Sequence, residues 1–154
     1  MNEIRKGRLL LAALAMLLMW AAVEIFVEHF VAKLLFGQTT NEMWRETIGM
    51  SSWSASNIVI NNAIAILNCM ALIWLYASLR PMYGVGTKTA LITSAFGIVI
   101  FGFTLFINFI NLGLIPARVG LIEAVSVAIE FPLAMIVGAG VYEGAVRWNR
   151  EGTR

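Results

Sequence analysis

"LLLAALAMLLMWAAV", residues 9–23, is followed directly by "EIFVEHF", residues 24–30. The first stretch is fifteen residues without a charge. The second carries Glu24, Glu28 and His29, the single histidine of the chain. At a helical rise of about 1.5 Å per residue, fifteen residues cover about 22 Å, less than a hydrocarbon core of roughly 30 Å. Read as a membrane span, the segment holds Glu24 within the membrane and brings Glu28 and His29 to its far interface.

The rest of the chain agrees with that reading. It is 60% hydrophobic and 13% charged over 154 residues, against roughly 45–50% and about 25% in a soluble domain. Four stretches meet the need for about 20 mostly apolar residues per span: 9–31, 58–79, 89–112 and 121–142. The expected fold is an all-α integral membrane protein, a four-transmembrane-helix bundle forming a single membrane domain over 1–154. A secretory signal peptide is the competing reading of the N-terminus, because Arg5, Lys6 and Arg8 precede an apolar run containing Ala13 and Ala15. That run continues past the point where a cleavable segment ends, so an uncleaved first helix is expected. Cys69 is the only cysteine and lies in the second span, which excludes an intrachain disulfide.

Lys and Arg bias orients short-loop membrane proteins. With the N-terminus cytoplasmic, that side collects Arg5, Lys6, Arg8, Arg80, Lys88, Arg147, Arg150 and Arg154, against Lys33, Arg45 and Arg118 opposite. Both termini are therefore expected inside. The same bias accounts for the net charge of +2 without a nucleic-acid partner.

The first outer loop, 37–57, contains "TTNEMWRETIGM", residues 39–50. Thr39 and Glu42 match a capping box, and Met43, Trp44 and Ile48 share an apolar face opposite Glu42 and Glu46, as in a short interfacial helix. Trp20, Trp53, Trp74 and Trp148 are candidate interface anchors, of which Trp53 and Trp148 sit at span ends. On the inside, "RPMYGVGTKTA", residues 80–90, reads as a turn built on Pro81, Gly84 and Gly86. Its Gly-Lys spacing does not match a phosphate-binding loop. In "NLGLIPARVG", residues 111–120, Gly113 closes one helix and Pro116 precedes the next.

The stretch "IWLYASLRPMYGVGTKTA", residues 73–90, resembles a segment of small, uncharacterised four-helix bacterial membrane proteins, with Trp-Leu-Tyr, Arg-Pro and a Gly-x-Gly turn before the third helix. The resemblance implies bacterial inner-membrane placement. It brings no activity, cofactor or functional residue with it.

Each span has a polar line. At about 100° per residue, Glu24 and Glu28 fall within roughly 40° of each other, while His29 points about 100° away from Glu28. Asn57, Asn61 and Asn68 form a stripe on the second helix, Thr104, Asn108 and Asn111 on the third, and Glu123, Ser126 and Glu130 on the fourth. Nearly all lie in the outer half, so the expected bundle has a dry cytoplasmic plug and a polar outer pocket. Facing lipid is disfavoured, since a charge at bilayer depth costs about 2.5–3.5 kcal/mol on insertion scales. Lys33 can serve Glu28 or Glu123, but Glu24 and Glu130 have no base at their level. Each must be protonated, hydrogen-bonded to an asparagine, or compensated by a bound cation. Pro132 cannot bond the carbonyl of Ala128, which makes that carbonyl a possible extra ligand.

These residues point to a binding module open to the outer side. Glu24 and Glu130 are its deep carboxylates, Glu28, His29 and Glu123 its mouth, and Asn61 and Asn108 neutral partners. A proton, a cation such as Mn or Zn, or a small ligand suits that donor set. No cofactor is specified, although His29 is a candidate ligand for a metal, haem or a pigment. The alternative is a non-catalytic accessory subunit of a larger membrane complex, its polar stripes being packing contacts. Ala134 with Gly138, and Gly140 with Gly144, permit close helix approach either within the bundle or in a homo-oligomer. Catalysis is not expected: a di-metal bundle needs Glu-x-x-His on two helices, and Cys69 and His29 lie at different depths.

Overall fold

The computed structural model describes residues 6–49 and 54–144. Among them, four helices are long and apolar enough to cross a membrane: α1 (Gly7–Phe36), α3 (Ala55–Tyr83), α4 (Thr87–Asn111) and α5 (Ala117–Glu143). A shorter helix, α2 (Thr40–Ile48), links α1 to α3. The long helices overrun the apolar runs that announced them. α1 continues past Lys33 because Leu34, Leu35 and Phe36 extend its apolar surface, and Leu34 is 85% exposed. α3 continues through Pro81 to Tyr83, so Pro81 is a helical residue rather than the turn residue expected. The turn belongs to Gly84 (φ 87°) and Gly86 (φ 136°), values that side chains with a Cβ rarely adopt. Trp53, Trp148, Arg5, Arg147, Arg150 and Arg154 lie outside the described residues.

α2 begins as its capping box requires. Thr39 Oγ1 accepts the Glu42 amide at 3.2 Å, and Glu42 Oε2 accepts the Thr39 amide at 2.7 Å. The Thr39 amide and hydroxyl hold the exposed Glu42 carboxyl below its ordinary value of 4.5. Met43 is buried with Ala32, Val119 and Ile122, and Trp44 packs against them. The apolar face of α2 thus rests on α1 and α5.

The main core lies towards the end of the bundle where both described termini meet. There Ala12, Met16, Ile73, Tyr76, Phe131, Met135 and Tyr142 interlock. α1 packs most extensively on α5. At Gly138 an added Cβ would stand 3.0 Å from Met16 Cβ and 3.3 Å from the Ala12 carbonyl oxygen, so a bare backbone is what lets these helices close. Ala134 and Gly138 are both buried inside the bundle.

A polar network closes that end. Arg80 Nη1 meets Glu143 Oε1 at 2.9 Å, and the guanidinium lies 5.8 Å from the centre of the Tyr142 ring. Tyr142 meets Tyr76 edge-on, the Tyr76 hydroxyl accepts the Gly86 amide at 3.3 Å, and Arg8 donates to the Glu143 carbonyl at 2.9 Å. Arg80, 7% exposed, is a buried strut. The Tyr, Arg and Gly-x-Gly residues of the 73–90 segment are parts of this single junction.

α1 and α4 each contain one π turn, Val27–Ala32 and Ile98–Phe103. A π turn inserts a residue, so side chains beyond it are rotated relative to those before it. In α1 the consequence is direct. An unbroken helix would return to the direction of buried Ala13 at Val31, about five turns on at 3.6 residues per turn; the buried residue is instead Ala32.

Because Glu143 neutralises a buried Arg80, Glu143→Gln should cost on the order of 3 kcal/mol in reversible unfolding of the detergent-solubilised protein. The double variant Arg80→Met, Glu143→Leu should recover most of that loss, since it leaves no charge stranded.

Candidate functional site

Towards the α2 end the four long helices separate around a cavity of about 760 Å³, with Thr40, Asn41 and Trp44 of α2 on its wall. Of the residues singled out from the sequence, Glu24 and Glu28 reach it from α1, Asn61 from α3, and Glu123 and Glu130 from α5. Asn68 and Ser126 are on the wall as well, whereas Asn57 is not among its lining residues. Residues more than a hundred positions apart, Glu24 and Glu130 among them, are thereby collected in one chamber.

His29 and Asn108 are not part of that chamber's lining. His29 is exposed, and its Nδ1 sits 3.1 Å from the carbonyl oxygen of Ile25 on its own helix. Both Glu28 and His29 lie in the π turn of α1, and only Glu28 is on the cavity wall. The displacement of Asn108 has a cause in its own helix. In an unbroken α4, Asn108 would stand about five turns beyond Ala90, on the face that buries Ala90, Thr93, Ser94 and Gly97. The π turn advances the register by one residue, so Leu105 and Phe109 take the inward direction and line the cavity. Asn108 is left on the exposed surface.

Two tryptophans hold the α5 carboxylates. Trp20 Nε1 donates to Glu130 Oε2 at 2.8 Å, and Trp44 Nε1 donates to Glu123 Oε1. Trp20, expected as an interface anchor, is turned inward and meets Phe131 edge-on, with ring centres 5.1 Å apart. Its sequence signal was its place four residues before Glu24, on the same helical face. The donor to Glu130 is thus an indole and not one of the asparagines.

Glu130 is 3% exposed, while Glu24 is an exposed residue of the cavity wall. Glu24, Glu28, Glu123 and Glu130 share the cavity wall. Among the described residues none of the four forms an ion pair with Lys or Arg; the pairs formed are Arg80–Glu143 and an exposed Arg118–Glu46 contact at 3.6 Å. Lys33, the expected counter-charge for Glu28 or Glu123, is exposed and pairs with neither.

Among the described residues no three of His, Cys, Asp and Glu converge in a group able to hold a metal ion. Cys69 is buried in the main core. α5 passes through Pro132 without ending, and Ala128, whose carbonyl was a possible ligand, is not on the cavity wall. What the arrangement offers is a large chamber lined by four carboxyl groups, by asparagine side chains and by aromatic walls formed by Trp20, Phe101, Phe106 and Phe131. No family model, curated protein or solved structure matches the chain.

The register shift carries a direct test. Asn108→Leu should leave unfolding stability unchanged or slightly higher, whereas Phe109→Asn should lower it by about 2 kcal/mol. An unbroken α4 would produce the opposite ranking in the same denaturation assay.

Proposed function

We propose that this chain is a multi-pass membrane protein that binds a cation, a proton or a small cationic ligand in the acidic chamber. The observation that carries the reading is Glu130. It is a carboxylate buried at membrane depth, held by one indole N–H, on the wall of a cavity and without a basic partner among the described residues. Ionisable groups in membrane helices are expensive and by default mark a site of binding or transfer. Glu24, Glu28 and Glu123 add negative charge to the same wall, and Asn61 supplies a neutral donor and acceptor.

The orientation proposed has both termini in the cytoplasm, following the Lys and Arg bias. The chamber then opens in the outer half, and α2, amphipathic and set across the ends of α1 and α5, lies at the outer interface. The resemblance of residues 73–90 supports bacterial inner-membrane placement.

If a cation binds N but not U, it stabilises the fold by mass action. Protons compete for the same carboxylates. The melting temperature of the purified protein should therefore rise with added cation, more at alkaline than at acid pH, and Glu130→Gln should abolish this response. Unchanged melting behaviour in Glu130→Gln would sink the proposal. Such a measurement covers Glu24 and Glu28 of α1 and Glu123 of α5, which face the same chamber, so their Gln variants belong in the series.

One observation favours a second reading, an accessory subunit of a larger complex. From Ala55 to Ile64 every side chain of α3 except Asn57 is exposed, including Asn61 and Asn62. A partner helix would cover that surface. Extraction in mild detergent followed by size measurement separates the readings: the binding module migrates alone or as a small homo-oligomer, and the accessory subunit co-migrates with other polypeptides.

A further inference from the structure

We infer that the occupant of the chamber is a monovalent organic cation with a bulky apolar body, which enters sideways from the bilayer between α3 and α4. This rests on the acidic-chamber reading above and narrows it to a ligand class.

Three independent features carry the inference. The first is Ser126, which is 6% exposed, stands on the cavity wall and makes no hydrogen bond with any described residue. Every fully buried side-chain oxygen among the described residues has a partner, so the Ser126 hydroxyl is one that stays accessible from the cavity. A hydroxyl left open towards a cavity marks a place for a ligand atom.

The second is the pairing of charge with aromatic surface. Carboxylates without bases select a cation, but the described residues offer no three-ligand group for a metal. Phe101, Phe106, Phe131 and Trp20 surround the same space, and aromatic faces attract organic cations, more strongly where water is excluded. The volume of about 760 Å³ lies within the range of roughly 300–1,000 Å³ typical of small-molecule sites and far exceeds a bare ion.

The third is the open side. α3 packs on α1 and on the Thr87–Gly97 part of α4, but makes no comparable contact with Thr104–Asn111. Ile64 of α3 and Leu105 of α4, both on the cavity wall, remain 50% and 42% exposed. A gap between two membrane-length helices, lined by Ile64 and Leu105 together with Asn61 and Asn62, leads to lipid, so an amphiphilic cation reaches the chamber with its apolar part already dissolved in the bilayer.

Tetraphenylphosphonium and tetraphenylborate are close in shape and opposite in charge, and they test the inference on the full chain in lipid nanodiscs, with empty nanodiscs as background. The cation should bind saturably, one per chain. Its affinity should fall at least ten-fold in Glu130→Gln and also in Glu24→Gln, whose exposed side chain can change without disturbing packing. Asn108→Leu, outside the chamber, should bind as the natural chain does. Equal saturable binding of the borate would overturn the proposal, as would cation binding that neither Gln variant weakens. A chain that binds neither ion but keeps its Glu130-dependent melting response overturns the organic-cation assignment alone. Loss of both responses removes the acidic-chamber reading with it.

Discussion

A carboxylate at bilayer depth has to be turned away from hydrocarbon, and α1 and α5 each carry two near the cavity. This constraint accounts for their relative placement: the most extensive interface in the bundle joins these two helices, and Trp20 of α1 reaches across it to Glu130 of α5. Below that bond the interface is made of Ala12, Met16, Ala134 and Gly138, small or pliable groups that let the backbones close. Without the close approach the indole would not reach the carboxylate. Without the carboxylate the chamber would be only a gap in apolar packing.

The two ends of the bundle use polar groups in opposite ways. At the terminal end Arg80, Glu143, Tyr76 and Tyr142 satisfy one another in a closed network, and the described helices are tied together around it. At the α2 end Glu24, Glu28, Asn61, Glu123 and Glu130 face open volume. A satisfied network fixes geometry, and the proposed binding is assigned to the end where polar groups line a cavity instead.

The π turns decide which side chains reach that site. Each adds a residue within a helix whose apolar composition is continuous, so hydropathy passes over it without a mark. In α4 the shift replaces a polar wall with Leu105 and Phe109; in α1 it exchanges Val31 for Ala32 and leaves room for Met43 of α2. Inserted turns of this kind are frequent where helices are shaped for function.

Four membrane-length helices, the capping box at Thr39 and Glu42 and the stop at Gly84 were all legible in the order of residues, because each depends on local chemistry or on length. The common placement of Glu24, Glu28, Asn61, Glu123 and Glu130 on one wall follows the faces that helical periodicity assigns. The tertiary structure alone decided the rest: that Trp20 and Trp44 hold the carboxylates, that Arg80 is buried against Glu143, and that Asn108 and His29 stay outside. Those outcomes depend on helix rotation and on contacts between distant segments. A single inserted residue turns everything beyond it by about 100°, and nothing in the local sequence of α4 announces that turn.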